Sequence, residues 1–353
     1  MGCTIMFTPT LRAIRSRFPG AHITFVGTSS AFVSPVAGSP LVDEVQVFDF
    51  AKDSLLDMGK LGARLRFIRK LRRQKFDYSL TVFPSNKWYF NTFAWMAGAK
   101  NRITHRYQTS DLGNLGFLQN VRIPADDKLH DVVQNLNLLQ GVGIDPAKVK
   151  DKALSFHVPS SDRDIAQKYL RYNRLPGKRL VGMHIGSSQD YAFASKRWPT
   201  DRFAKLADQI QGEMNTQVLV FAGPDETDEV AKMRDAMKTK CHMVQQKLPV
   251  VAALLKECDL MISNDSGLMH LAVAMWTPVV AIFGPTNITR TKPYTDRAIV
   301  ITDPGCNSLL KYPFTTTSAK IDPTQAQRCF TKITVPVVMA AAKKMLDGGK
   351  VQN

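Results

Sequence analysis

The chain alternates between short apolar runs and longer segments with an apolar residue every three or four positions. In the second half the apolar runs are Leu180–Ile185, Gln217–Ala222, Leu260–Ile262, Pro278–Phe283 and Ile299–Thr302. Each is short enough for a strand buried on both faces. Between and after them lie helical patterns over Thr200–Gln211, Thr227–Met237, Val250–Cys258, Leu268–Trp276 and Thr334–Leu346. Strand and helix in strict alternation predict a parallel sheet covered by helices. The first half reads less regularly. Strands are expected at His22–Gly27, Leu41–Phe50, Phe76–Phe83, Asn101–Thr104 and Ala153–His157. Helices are expected at Ile5–Phe18, Lys60–Lys75, Ser85–Gly98 and Lys128–Leu139, with another from Ser160-Ser161 to Tyr172. A doubly wound domain opens on a strand. Here a helix comes first, so we expect a start that is truncated or wrongly assigned. The pattern divides into residues 1–160, residues 161–333, and a C-terminal helix and tail at 334–353.

The densest chemistry lies in Leu260–Thr286, LMISNDSGLMHLAVAMWTPVVAIFGPT. A strand runs into Asn264-Asp265-Ser266-Gly267, a helix follows, and a second strand ends at Gly284-Pro285-Thr286. Asn, Asp and Ser are good helix caps, and capping alone accounts for them about as well as function does. A helix N-terminus is also an anion site, because its first amides lack acceptors and the dipole is positive there. Three further loops end predicted strands: Gly186-Ser187-Ser188, Gly223-Pro224-Asp225-Glu226 and Gly284-Pro285-Thr286. In open α/β sheets ligands bind at that edge. Ser187, Ser188, Ser266, the Gly267 amide and Lys196 together suit a diphosphate. Asp225 or Glu226 suits ribose hydroxyls.

Charge adds a second theme. The 353 residues carry a formal net charge of +17, which points to an acidic partner. The helix Lys60–Lys75 holds Lys60, Arg64, Arg66, Arg69, Lys70, Arg72, Arg73 and Lys75 and no acid. A solvated helix face or an anion-facing surface both fit it. No nucleic-acid module is recognisable, so nucleic acid ranks last among partners. The stretches Phe18–Val42 and Ser266–Thr289 lack charge, but prolines and glycines break the first and a strand-like half marks the second. Neither reads as a membrane span. Five cysteines, none in a C-x-x-C pair, argue against a disulfide framework and for a reducing cytoplasm. The one D-x-D spacing, Asp162-Arg163-Asp164, follows Ser160-Ser161 and reads as a helix first turn, not a metal site.

With these motifs in hand, the chain resembles the family 9 glycosyltransferases of the bacterial lipopolysaccharide heptosyltransferase type. The resemblance rests on the helix Gly2…Pro9-x-Leu11-x-x-Ile14-x-x-x-Phe18-Pro19, then Lys196-x-Trp198-Pro199 and Gly223-Pro224-x-Glu226. Asp265-Ser266-Gly267-x-x-His270-Leu271-Ala272, Gly284-Pro285-Thr286 and Cys329-Phe330-x-x-Ile333 complete it. It implies a GT-B architecture, with two Rossmann-like domains facing across a cleft, the first for the acceptor and the second for the nucleotide-sugar donor. It also implies inversion at the anomeric carbon with no metal and no cofactor, ADP-heptose being one possible donor substrate. Carried over, Lys196 stabilises the leaving group and Asp265 contacts the sugar. Ser187, Ser188, Ser266, Gly267 and His270 line the donor, with Asp225 and Glu226 near the nucleoside. The family's acidic base position is Cys3 here, and an unperturbed thiol, with a pKa of about 8.5, is a poor base for a sugar hydroxyl. His105, Asp111 and Asp190 are substitutes to consider.

The expected function is therefore transfer of a sugar to an anionic, lipid-linked acceptor of lipopolysaccharide core or another surface glycan. The expected location is the cytoplasm, with peripheral contact to the inner membrane. The alternatives are a nucleotide-sugar epimerase of the same architecture and a nucleotide-sugar-binding protein that lost its base.

Overall fold

The computed structural model describes residues 1–48, 58–85, 87–107, 111–187, 196–223, 226–307, 309 and 321–348. The chain forms two compact units, one over Cys3–Lys152 and a second that takes up at Ala153. Every strand pair among the described residues of both is parallel.

In the first unit the strands are β1 (Thr24–Gly27), β2 (Glu44–Val47), β3 (Tyr78–Leu80), β4 (Asn101–Arg106) and β5 (Val121–Pro124). Among the described residues β1 pairs β2, and β3-β4-β5 form a separate sheet. The opening helix runs Gly2–Arg17, and the eight residues from Thr4 to Leu11 are all buried. The basic segment is helical over Met58–Arg73, and the aromatic segment over Trp88–Ala97. Phe67 and Phe93, with ring centroids 6.3 Å apart, stack these two helices together. Two expectations shift here. Ala153–His157, where the second unit begins, buries Leu154 and Phe156 in alternation, as a strand would, yet is no strand among the described residues. Alternation reports a half-buried extended chain. His105 lies inside β4 and not beyond a strand end. It is 1% exposed, its Nε2 lies 3.1 Å from the Gln134 carbonyl, and Phe83 stands edge-on to its ring. A histidine enclosed in this way belongs to the core, not to an acceptor site.

The second unit holds one six-stranded sheet, order β11-β10-β9-β6-β7-β8. Its strands are β6 (Arg179–His184), β7 (Thr216–Phe221), β8 (His242–Val244), β9 (Leu260–Asn264), β10 (Val279–Phe283) and β11 (Ala298–Thr302). Successive side chains alternate between faces. Val181, Met183, Val218, Val220, Ile262, Val280 and Ile282 therefore share one face. They pack in one cluster with the helices Thr200–Glu213, Thr227–Ala236 and Val335–Leu346. Leu248–Lys256 packs with Ser160–Asn173 and with Gly267–Ala274. Three-residue β8 escaped the sequence reading because so short a run carries no periodicity.

Cys306 and Cys329 form a disulfide, with Cα atoms 5.5 Å apart. This corrects the expectation that no disulfide is present, and cysteine usage no longer argues for a reducing compartment. The partners lie 23 residues apart, so no local spacing motif marks them. Asp162 lies in the first turn of Ser160–Asn173 and pairs with Lys247 at 2.6 Å. No described helix is long and apolar enough to cross a membrane.

Burial lowers the His105 pKa from 6.5 to about 4, against hydrogen bonds that raise it. A depressed folded value means that the neutral ring favours the fold. Its contribution is complete above pH 6.5 and is lost as pH falls from 6.5 towards 4. The drop corresponds to about 3 kcal/mol. His105→Gln should flatten the acid limb of stability against pH, measured by denaturant unfolding between pH 7 and 4.

Candidate active site in the second unit

The order of strands reverses between β6 and β9: the chain builds outward to β7 and β8 on one side and to β10 and β11 on the other. A crevice opens at the C-terminal ends of the two strands flanking such a switch point. The register pairs His184 with Ser263, so the chain leaves both strands at the same level. Ile185-Gly186-Ser187 departs from one and Asp265-Ser266-Gly267 from the other.

Asn264 fastens these loops. Its Nδ2 donates to the Ile185 carbonyl at 2.7 Å, and its Oδ1 accepts from the Trp198 N–H at 3.0 Å. Trp198 is fully buried, edge-on to Phe203, and its indole N–H donates to the Ile333 carbonyl at 2.7 Å. The Lys196-x-Trp198-Pro199 motif is thus an anchor, and the anchor sets Lys196. Lys196 Nζ meets Asp265 Oδ2 at 2.8 Å, both side chains being nearly enclosed. The next residue, Arg197, donates from Nη2 to the Ser187 carbonyl at 2.8 Å and from Nε to Ser187 Oγ at 3.3 Å, and it pairs with Glu229.

Ser266 caps the helix Gly267–Ala274, its hydroxyl accepting from the Met269 N–H at 3.4 Å. The same hydroxyl lies 3.0 Å from His184 Nδ1. His184 Nε2 lies 3.1 Å from Glu226 Oε2, which also accepts from the Gly223 N–H at 2.8 Å. Burial raises the Glu226 pKa, but the His184 hydrogen bond and charge, the Gly223 amide and Arg197 outweigh it. The carboxyl is held below its ordinary value. A Cβ on Gly186 would overlap the Glu226 carboxylate, so only glycine fits there. Gly284 gives way in the same manner to the ring of Phe330, which ties the closing Cys329-Phe330 pattern to the Gly284-Pro285-Thr286 loop. The buried Thr286 hydroxyl has no hydrogen-bond partner among the described residues.

Of the residues singled out in the sequence, Ser187, Lys196, Glu226, Asp265 and Ser266 stand on loops or caps at this edge, and Gly267 opens the helix that Ser266 caps. His270 is buried one turn into the Gly267 helix. Ser188, Asp225 and Asp190 lie outside the described residues. Cys3 is in the first turn of the Gly2–Arg17 helix, in the first unit, and Asp111 is ion-paired with Arg122 at 2.7 Å. His184 and Arg197 were missed. His184 had one visible signal: it is the polar residue that ends an otherwise apolar strand, just before a Gly-Ser turn.

Two units built on parallel sheets, the second with polar loops gathered at its switch point, have the α/β architecture of the GT-B glycosyltransferase fold. The sequence profile of glycosyltransferase family 9 (heptosyltransferase) matches residues 64–313, and the chain belongs to that family. Lipooligosaccharide heptosyltransferase 2 of Campylobacter jejuni is 24% identical over 360 residues, covering 98% of this chain and 95% of the relative. A family 9 glycosyltransferase structure from Veillonella parvula superposes with a TM-score of 0.78 at 24% identity, covering 99% of this chain and 95% of that one. The structure of E. coli ADP-heptose lipopolysaccharide heptosyltransferase II superposes with a TM-score of 0.71 at 21% identity, covering 98% and 95%.

Asn264→Ala should cost about 2–4 kcal/mol, because it strands a buried N–H and a buried carbonyl. Chemical denaturation measures that loss. Asn264→Asp should not rescue it, since a carboxylate oxygen would then face the Ile185 carbonyl.

Proposed function

We propose that the protein transfers heptose from ADP-heptose to an anionic, lipid-linked core acceptor, with inversion at the anomeric carbon. The second unit takes the donor and the first takes the acceptor. The observation that supports this most is the Lys196–Asp265 pair beside the capped N-terminus of the Gly267 helix. When the bond from the anomeric carbon to the phosphate oxygen breaks, negative charge grows on the departing diphosphate. A lysine and helix-terminal amides meet that charge. Glu226 receives ribose hydroxyls, and Asp265 meets the sugar. The leaving group is served by these groups and not by a resident metal. The acceptor oxygen attacks the opposite face, and its proton passes to a base that this reading does not assign to Cys3.

Lys196→Ala should lower kcat by roughly a hundredfold or more, the scale for removing one preorganised charge stabiliser. Initial rates with ADP-heptose and a lipid-core acceptor measure it. Rates should be unchanged in EDTA. An unchanged kcat in the variant, or activity lost to EDTA and restored by a divalent ion, would overturn the corresponding part.

The Met58–Arg73 helix is the surface for the acceptor's anionic groups and for the inner membrane face. Arg66, Arg69, Lys70, Arg72 and Arg73 are exposed on it, and Trp88 and Trp95 stand exposed two turns apart on the adjoining helix. Basic side chains with exposed indoles suit an anionic interface. Neutralising Arg69, Arg72 and Arg73 together should abolish co-sedimentation with vesicles containing an anionic phospholipid. The wild type should release such vesicles as salt is raised. Binding that ignores both charge and salt sinks this assignment.

A further inference from the structure

His184 is the last residue of β6 and is 5% exposed. Both of its ring nitrogens are engaged, each on a different loop. Nε2 lies 3.1 Å from Glu226 Oε2, on the loop after β7. Nδ1 lies 3.0 Å from Ser266 Oγ, on the loop after β9. Those loops are the two ends of the donor site proposed above, Glu226 at the ribose and Ser266 with Gly267 at the diphosphate.

We propose that His184 is a positioning residue that couples the ribose end of the donor site to its diphosphate end. The inference rests on that donor-site reading. At the ribose end, Nε2–H and the Gly223 amide both donate to Glu226 Oε2. Gly186 allows the carboxylate to lie where it does, because a side chain at that position would collide with it. At the diphosphate end, Ser266 Oγ receives the Met269 amide, lies 3.1 Å from Ser263 Oγ and meets the imidazole. The ring fixes the orientation of the hydroxyl that caps the phosphate-facing helix. One rigid, planar side chain spans both contacts, so the two loops cannot adjust independently. Ladder register supplies the rest: His184 stands opposite Ser263, three residues before the cap.

Two amides separate the two contacts. The glutamine amide reaches the Nε2 position, and the asparagine amide reaches the Nδ1 position. Binding of ADP, adenosine and inorganic pyrophosphate is measured by isothermal titration and ligand-observed NMR, for the wild type, His184→Gln and His184→Asn. His184→Gln should keep adenosine affinity within about twofold and lose about tenfold for pyrophosphate. His184→Asn should show the opposite split, and both should weaken ADP. Tenfold is the scale of one lost hydrogen bond. Unchanged affinity for all three probes in both variants overturns the proposal. So does a parallel loss of adenosine and pyrophosphate, which is what a merely structural histidine would produce. Each variant predicts its own split, so one folded variant suffices, as judged by its melting temperature. A wild-type protein that binds none of the three sinks the donor-site reading itself, a result distinct from the failure of the split.

Discussion

The pairing of β6 with β9 is the constraint on which the second unit depends. These strands are distant in sequence, yet they lie side by side at the centre of the sheet and their register matches His184 to Ser263. That single match decides which residues emerge together at the sheet edge. It brings Gly186-Ser187 beside Asp265-Ser266-Gly267 and lets Asn264 reach across to Ile185 and Trp198. A slip of one residue would turn His184 and Asn264 to the opposite faces and undo the loop contacts together. The loops need no long-range design of their own, because the ladder already positions them.

The enclosed polar groups at this edge differ in what they contribute. Asn264 and Trp198 satisfy backbone groups, which makes them stabilising in an ordinary sense. The Lys196–Asp265 pair does not fit that description. Taking two charges out of water costs several kcal/mol per ion, and attraction returns about as much. A pair of that kind adds little net stability, but it holds two opposite charges at one spot under low dielectric. For the proposed donor site, which would meet a charged diphosphate, the preset field is the useful part. Glu226 follows the same logic: burial works against its charge, and His184, Gly223 and Arg197 together keep the carboxylate ionised.

The second unit was legible because parallel strands buried on both faces leave plain apolar runs, and glycine and proline punctuate them. The capped turn Asp265-Ser266-Gly267 and the Lys196-x-Trp198-Pro199 loop were legible for a related reason, since short-range chemistry leaves short-range marks. What stayed hidden involves pairs of distant residues. The Cys306–Cys329 bond has no spacing signature, and His184 reads as one polar residue at a strand end until the fold sets Glu226 on one side and Ser266 on the other. At the start of the second unit the burial of Leu154 and Phe156 was legible in their alternation, but the lack of a strand assignment there among the described residues was not. His105 shows the converse. Its neighbours in sequence suggested a strand end, and only the packing of Phe83 and the Gln134 carbonyl reveals a core residue.

Charge serves the two ends of the proposed reaction under different physical regimes. The Met58–Arg73 helix bears its exposed cations in water, where salt screens them beyond about 8–10 Å. In the proposed role they would attract and steer an anionic partner without fixing its geometry. Lys196, Asp265 and Glu226 are enclosed, where screening is weak and a hydrogen bond sets direction as well as energy. On the proposed reading, an acceptor held by such a surface can vary, and a donor held by the enclosed groups cannot. Exposed lysines and arginines on that helix can be exchanged at little cost to the fold. The residues at the switch point have no such freedom, because each one also completes a buried hydrogen bond of the sheet edge on which the others stand.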